Sequence, residues 1–121
     1  MSLFDKLLVA HLVADILLQT EWQALNKGQN YRAFFSHIAI YSVIMMGILV
    51  VDFGFQNIYI YFVVGMLALS HGFLDRGWPV IRLMSSFHLI VERKPERWLV
   101  MAVDQTLHVL FLAFAAILLS I

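Results

Sequence analysis

Residues 58–75, with the sequence IYIYFVVGMLALSHGFLD, decide the fold class. A helix needs about 20 mostly apolar residues, with a range of about 17–25, to cross the hydrocarbon core of a bilayer, and this stretch stays apolar until His71 and Asp75. Three further stretches are of similar character, at residues 3–19, 33–51 and 98–121. The sequence therefore predicts an all-α integral membrane protein, a single domain over residues 1–121 built as a four-helix bundle.

The composition agrees with a membrane protein and excludes several functions. Of the 121 residues 62% are hydrophobic and 13% charged, against about 45–50% and about 25% in soluble domains. Basic and acidic residues balance at 8 each, so no net charge indicates binding to nucleic acid. The chain has no cysteine, which leaves His, Asp and Glu as strong metal ligands. Any chemistry is expected inside the bundle.

The basic residues predict the orientation in the membrane. Seven of the eight lie in two connectors, residues 20–32 and 76–97, whereas the turn at residues 52–57 has none. The positive-inside rule then places both connectors in the cytoplasm and both termini on the non-cytoplasmic side. We expect the bacterial cytoplasmic (inner) membrane as the location. Residues 79–91 mix apolar and polar side chains and predict a short interfacial helix between the third and fourth spans, or a re-entrant segment.

Ionisable side chains recur inside the apolar stretches at helical spacing. In three pairs the two residues are four positions apart: His11 and Asp15, His71 and Asp75, and Asp104 and His108. His37 is a further histidine without such a partner in the sequence. Residues four apart share one helix face. An ionised group at the centre of a membrane helix costs about 2.5–3.5 kcal/mol, so the carboxylates need partners. A rise of about 1.5 Å per residue puts all seven in the inner half of the bilayer, with Asp75 near the surface.

Two interpretations of this set remain open. Interhelical hydrogen bonds could simply hold the helices together, each contributing about 0.6–2 kcal/mol. Alternatively, imidazole and carboxylate suit Zn²⁺, Mn²⁺ or Fe²⁺, and seven groups exceed the three or four that a tetrahedral zinc needs, so one or two ions are predicted. The amides of Gln19 and Gln105 are predicted to support the ligands from outside. A proton relay could use the same residues.

The order of these motifs resembles a known family. HLVADILLQT at residues 11–20, His37, SHGFLD at residues 70–75 and DQTLH at residues 104–108 are similar to the small bacterial membrane proteins of the DUF3307 domain of unknown function. That resemblance covers nearly the whole chain and implies no activity. A looser similarity to inner-membrane metal-dependent hydrolases implies hydrolysis at a bound metal. Family members often have Lys soon after the third-span Asp, where this chain has Arg76.

Our first hypothesis is a metal-dependent membrane hydrolase that opens toward the cytoplasmic headgroups. The candidate catalytic carboxylates are Asp15, Asp75 and Asp104, since an Asp free of metal can act as general base. The candidate groups for an anionic headgroup are Lys27, Arg76 and Arg82. The expected substrate is then an anionic lipid or a lipid or prenyl phosphate.

Two other classes of function stay open. One is transport of a divalent cation or protons, although the predicted outer half offers no ionisable residue for a path. The other is a non-catalytic assembly or sensor subunit in which the cluster only joins the helices. For so small a chain we also expect that a homodimer can form.

Overall fold

The computed structural model describes residues 1–87 and 96–121, and these are helical with no strand among them. The elements are α1 (Leu3–Leu12) with a π-helical turn (Val13–Leu17) directly after it, α2 (Glu21–Asn26), α3 (Tyr31–Phe53), α4 (Ile58–Asp75), α5 (Trp78–Ser86) and α6 (Arg97–Ser120). The predicted all-α class is confirmed.

Three helices, α3, α4 and α6, are long and apolar enough to cross a membrane. They agree closely with three of the predicted spans. The first predicted span, residues 3–19, is shorter than expected because helix formation stops at Leu17. The chain then starts α2, for which Thr20 is the N-cap: its hydroxyl accepts from the Gln23 N–H, and the Gln23 side chain accepts from the Thr20 N–H. This reciprocal cap favours a new helix over continuation of the old one.

The long helices pack side by side, with α1 against α3 and α6, α3 against α4, and α4 against α6. At one end of the molecule the Lys6 Nζ lies 2.8 Å from the Asp52 Oδ1, which ties the start of α1 to the end of α3. The start of α1 also shares a surface hollow with the last residues of α6, around Ser120. We call this end, which holds both termini, the terminal end.

Apolar side chains fill the interior toward the terminal end. Five of the fully buried ones, contributed by α1, α3, α4 and α6, are Leu7, Met45, Leu49, Ile60 and Leu112. In a bilayer such packing stabilises helix association through van der Waals contact, because lipid tails are as apolar as the side chains. We call this region the apolar plug.

The two short helices lie at the opposite end. α2 packs on α3, where the Gln23 Nε2 donates to the Ser36 Oγ over 2.9 Å. α5 packs on α4 and α6 and buries Val80 and Met84 beside Leu74. The predicted interfacial segment 79–91 thus begins as α5, while its residues 88–91 lie outside the described part of the chain.

Gly72 lies where α4 packs on the Phe34 side chain of α3, beside the predicted site. A Cβ built on this residue would lie 3.1 Å from the Phe34 Cζ, tighter than ordinary van der Waals contact. A Cβ on Gly65, seven residues earlier in the same helix, would meet nothing within 4 Å.

We therefore expect Gly72→Val to destabilise the protein by about 1–3 kcal/mol, the usual range for overpacking. Gly65→Val, with the same change in helix propensity, should have little effect. Thermal unfolding of both variants in detergent, followed by circular dichroism, checks this difference. Equal melting temperatures would show that the α3–α4 contact does not require glycine.

Candidate metal centre

The histidines and aspartates predicted from the sequence come together at the end of the interior opposite the terminal end. Six are buried, each at most 7% exposed: His11, Asp15, His37, His71, Asp75 and His108. The Asp104 side chain, 22% exposed, lies at the edge of the group. The Asp75 side chain is 1% exposed, and the chain after α2 passes over the end of α4, where a Cβ on Gly28 would lie 3.7 Å from the Asp75 carbonyl oxygen. The predicted depth of Asp75, near the membrane surface, stays a prediction.

Four side-chain atoms converge at the centre of this group, and we call their residues the central quartet: Asp15, His37, His71 and Asp75. The Nε2 atoms of His37 and His71 lie 2.8 Å apart. The Asp15 Oδ1 lies 3.0 Å from the first nitrogen and 3.2 Å from the second. The Asp75 Oδ2 lies 3.2 Å and 3.1 Å from the same two nitrogens. All four side chains are at most 5% exposed.

These spacings fit the donor set of a metal ion. Ligands of a tetrahedral zinc at about 2.0–2.1 Å lie roughly 3.3–3.4 Å apart, and adjacent ligands of an octahedral ion at about 2.1 Å lie roughly 3.0 Å apart. The five quartet distances, 2.8–3.2 Å, are close to the octahedral spacing and shorter than the tetrahedral one. Three overlapping groups of side chains could hold an ion: His11, Asp15 and His71; His37, His71 and Asp75; and Asp75, Asp104 and His108.

Asp15 lies within the π-helical turn. The Leu18 N–H donates to the Val13 carbonyl over 2.9 Å, one residue further along than in an α-helix. Gln19, predicted to support the carboxylate, donates from its Nε2 to the Asp15 backbone carbonyl instead, over 3.0 Å. Single π turns are frequent at functional sites, where they redirect a side chain. The predicted continuous helix gave no sign of it.

Gln105 joins three of the predicted residues. Its Nε2 lies 3.2 Å from the Asp104 Oδ2 and 3.5 Å from the Asp15 Oδ2. Because carboxylates only accept hydrogen bonds, the amide nitrogen faces them, and the Gln105 Oε1 faces the His11 Nε2 over 2.9 Å. His11 therefore donates from Nε2, and its buried Nδ1 has no hydrogen-bond partner among the described residues.

His108 has the opposite arrangement. Its Nδ1 donates to the Asp104 backbone carbonyl over 2.7 Å, so the Nε2 carries a lone pair. That Nε2 is buried, has no hydrogen-bond partner in the part of the chain described, and lies 3.6 Å from the Asp75 Oδ1. Lys27 approaches the same oxygen, with its Nζ at 3.1 Å.

A cavity of about 910 Å³ opens beside the cluster, between the π turn, α2, the end of α4, α5 and α6. Its polar wall includes His11, Asp15, Lys27, Asp75, Arg97, Asp104 and Gln105. Its apolar wall includes Leu12, Ile16, Leu25, Val100 and Met101. The size is typical of small-molecule sites, and the mixed walls suit a molecule with one polar and one apolar part.

The three predicted headgroup-binding cations lie in different places. Lys27 lines the cavity. Arg76 does not; its guanidinium carbon lies 5.9 Å from the Tyr31 ring centre and 5.5 Å from that of Phe34, at cation–π distance. Arg82 is exposed on α5, away from the cavity lining.

Two residues that the sequence analysis did not single out belong to the site. Arg97 lines the cavity from the first turn of α6, on the face that also carries Asp104 and His108. The buried ring of Tyr41 stacks on His71 with 3.9 Å between ring centres. Helical spacing could have indicated that each residue shares a helix face with a cluster residue, because Tyr41 comes four residues after His37 and Arg97 comes seven residues before Asp104.

Together the helices and the buried cluster define a membrane protein with a histidine–aspartate centre at one end of its interior. The family described as "Protein of unknown function (DUF3307)" matches residues 3–121, and the chain belongs to this family. The resemblance predicted from the motifs is confirmed. No curated protein and no solved structure matches the chain, so the looser similarity to hydrolases stays a hypothesis.

We expect Gln105→Leu to destabilise the protein by about 1–3 kcal/mol, because the buried His11 Nε2–H and the facing carboxylates lose their partner. The matched control is Thr106→Val, since the Thr106 hydroxyl is exposed and bonds only the Ala102 carbonyl of its own helix. Thermal unfolding in detergent at neutral pH measures both. If the two variants have the same melting temperature, Gln105 does not organise the cluster.

Proposed function

We propose that this protein is a metal-dependent hydrolase of the bacterial cytoplasmic membrane that cleaves a lipid-like or phosphorylated amphiphile at the cytoplasmic face. The observation that carries the proposal is the central quartet, whose four buried nitrogen and oxygen atoms converge at the wall of an amphipathic cavity. Buried ionisable groups within membrane helices are functional by default, and such groups beside a cavity mark candidate active sites.

In this proposal α1 with its π turn, α3, α4 and α6 form a four-helix bundle in the membrane. The seven basic residues of the two connectors favour a cytoplasmic position for the cluster end, and so a non-cytoplasmic position for both termini. The first helix ends at Leu17, and Leu12 and Ile16 are exposed where they line the cavity. A lipid tail can therefore enter beside this short helix.

The charges of the cluster favour a divalent cation. With neutral histidines, Asp15, Asp75 and Asp104 contribute three negative charges and Lys27 one positive charge, so the cluster has a net charge of two negative units. Arg97 on the same cavity wall is exposed, and solvent screens its charge. The quartet supplies two imidazole nitrogens and two carboxylate oxygens, a donor set that suits Zn²⁺, Mn²⁺ or Fe²⁺. A bound ion of this kind lowers the pKa of water and polarises a phosphoryl or acyl oxygen.

The remaining side chains have separate roles in hydrolysis. Asp104 lies outside the quartet at the cavity edge, so it accepts a proton from water as the water oxygen bonds to the phosphorus or carbonyl carbon. The bond to the leaving oxygen breaks, and Asp104 returns the proton to that oxygen. Arg97 donates hydrogen bonds to the anionic headgroup, and Lys27 adds positive charge on the same wall. The apolar wall receives the tail.

The apolar plug favours this proposal over transport. Between the cluster and the terminal end the interior holds residues such as Met45, Leu49 and Leu112, which offer no oxygen or nitrogen ligand to a moving divalent cation. A cluster that only joins helices would not need a cavity of this size beside it. Formation of a homodimer stays a prediction.

We expect elemental analysis of detergent-purified protein to find roughly one equivalent of divalent metal per chain, as a single set of four ligands implies. Asp75→Asn should weaken binding by at least about 10–100-fold, the loss that follows removal of even an outer partner of a metal ligand. Asp52→Asn, which neutralises a carboxylate at the terminal end, is the control and should keep the metal. A folded wild-type protein that binds none of the three candidate ions would contradict the proposal.

We expect Asp104→Asn to keep the metal and lose about 10²–10⁴-fold in kcat, the usual contribution of a general base. Arg97→Met should raise KM for an anionic amphiphile by about 10-fold or more, since a hydrogen bond to a charged group contributes about 1.5–3 kcal/mol. Exposed Arg32 provides the control variant Arg32→Met. Steady-state kinetics with phosphate-ester and carboxyl-ester amphiphiles measure these effects. A metal-loaded wild type that hydrolyses neither substrate class would overturn the assignment.

A further inference from the structure

We propose that Asp75, Asp104 and His108 form a second cation position beside the central quartet, and that the Lys27 ammonium, held at the Asp75 Oδ1, keeps a second divalent ion out of it. The chain then holds one divalent ion where its ligands would otherwise hold two. This inference rests on the proposed metal centre and specifies its stoichiometry.

The second position has its own set of ligand atoms. Asp75, Asp104 and His108 each offer one atom, and these atoms lie within 4.8 Å of one another. The His108 side chain is 2% exposed, and its Nε2 has no hydrogen-bond partner among the described residues. Its Nδ1 donates to a backbone carbonyl, which is the support usual for a metal-ligating histidine. A buried lone pair 3.6 Å from a carboxylate oxygen is stabilised by a cation between them.

Asp75 connects the two positions. Its Oδ2 faces the Nε2 atoms of His37 and His71, while its Oδ1 faces Lys27 at 3.1 Å and His108 at 3.6 Å. In two-metal sites the ions lie about 3.5–4 Å apart, a separation that a carboxylate can bridge with one oxygen on each ion. Here the ammonium nitrogen takes the place of the second ion at Oδ1.

The charge balance favours a single divalent ion. Three carboxylates carry three negative charges, which one divalent ion and the Lys27 ammonium neutralise. A second divalent ion beside Lys27 would leave an excess of two positive charges in an apolar interior, where uncompensated charge is unfavourable. Replacing Lys27 by a neutral residue removes this obstacle and leaves one negative charge to attract a second ion.

The backbone holds Lys27 at this place. Lys27 is the C-cap of α2, and its N–H donates to the Gln23 carbonyl over 2.9 Å. The following residue, Gly28, passes close to the end of α4, since a Cβ there would lie 3.6 Å from the Arg76 carbonyl oxygen. The Lys27 side chain is 18% exposed, so it reaches the buried Asp75 from the cavity side.

The test is the stoichiometry of Mn²⁺ in detergent-purified protein, by elemental analysis and by electron paramagnetic resonance, which detects coupling between two nearby ions. We expect about one ion in the wild type and about two coupled ions in Lys27→Met, as in two-metal sites. Lys27→Arg keeps the positive charge, so this variant should still bind about one Mn²⁺ ion per chain. Arg32→Met removes an exposed cation of the same end and should also stay near one.

Lys27→Met/His108→Ala should return to about one ion, because the second position loses its nitrogen ligand. A monodisperse Lys27→Met protein with a single uncoupled ion would overturn this inference and leave the metal centre intact. So would two ions in the wild type. A wild type without metal would instead count against the proposed function, so the two failures are distinguishable.

Discussion

The structure depends on compensating three carboxylates within helices that are otherwise apolar. An unpaired charge there is far more costly than a lost packing contact, so the two buried carboxylates, Asp15 and Asp75, need partners on other helices, whereas the partly exposed Asp104 contacts Gln105 and His108 of its own helix. Asp15 meets histidines of α3 and α4, and Asp75 meets His37 and Lys27. These contacts set which helix faces meet, and they explain why α3 and α4 approach closely at Gly72 beside His71. The apolar contacts elsewhere then stabilise the helix arrangement that the polar contacts determine.

The irregular backbone segments between α1 and α3 lie beside the buried carboxylates. The π turn, Gln19 before α2 and Lys27 after it belong to irregular parts of the backbone, and all of them line the cavity. Irregular backbone at membrane depth is tolerated where it is buried in protein or lines a cavity. The candidate site and these irregular segments thus lie at one end of the molecule, while the turn between α3 and α4, with Gly54 at φ 79°, lies at the terminal end.

Helical periodicity was sufficient to predict much of this arrangement. The spacing of four between His71 and Asp75 and the apolar stretches around them predicted the fold class, three long helices and a group of side chains that lie close together. Periodicity could not predict the π turn at Asp15, because HLVADIL has the pattern of an ordinary α-helix. It also could not predict that the chain after α2 covers the end of α4 beside Asp75, since spacing along one helix does not include other segments. The pairing of Lys27 with Asp75 and the stacking of Tyr41 on His71 depend on contacts between helices, which spacing within a helix does not specify.

The apolar plug has an electrical consequence. A layer packed with side chains such as Leu7, Met45, Leu49 and Leu112 has a low dielectric constant and contains no mobile charge, so most of any transmembrane voltage falls across it. The energy of one elementary charge changes by about 2.3 kcal/mol per 100 mV when the charge crosses the whole membrane. An ion or anionic headgroup that enters from the cavity would cross only a small part of this voltage. In the orientation proposed above, the centre therefore lies at nearly the electrical potential of the solution to which the cavity opens, and binding there depends little on the membrane voltage.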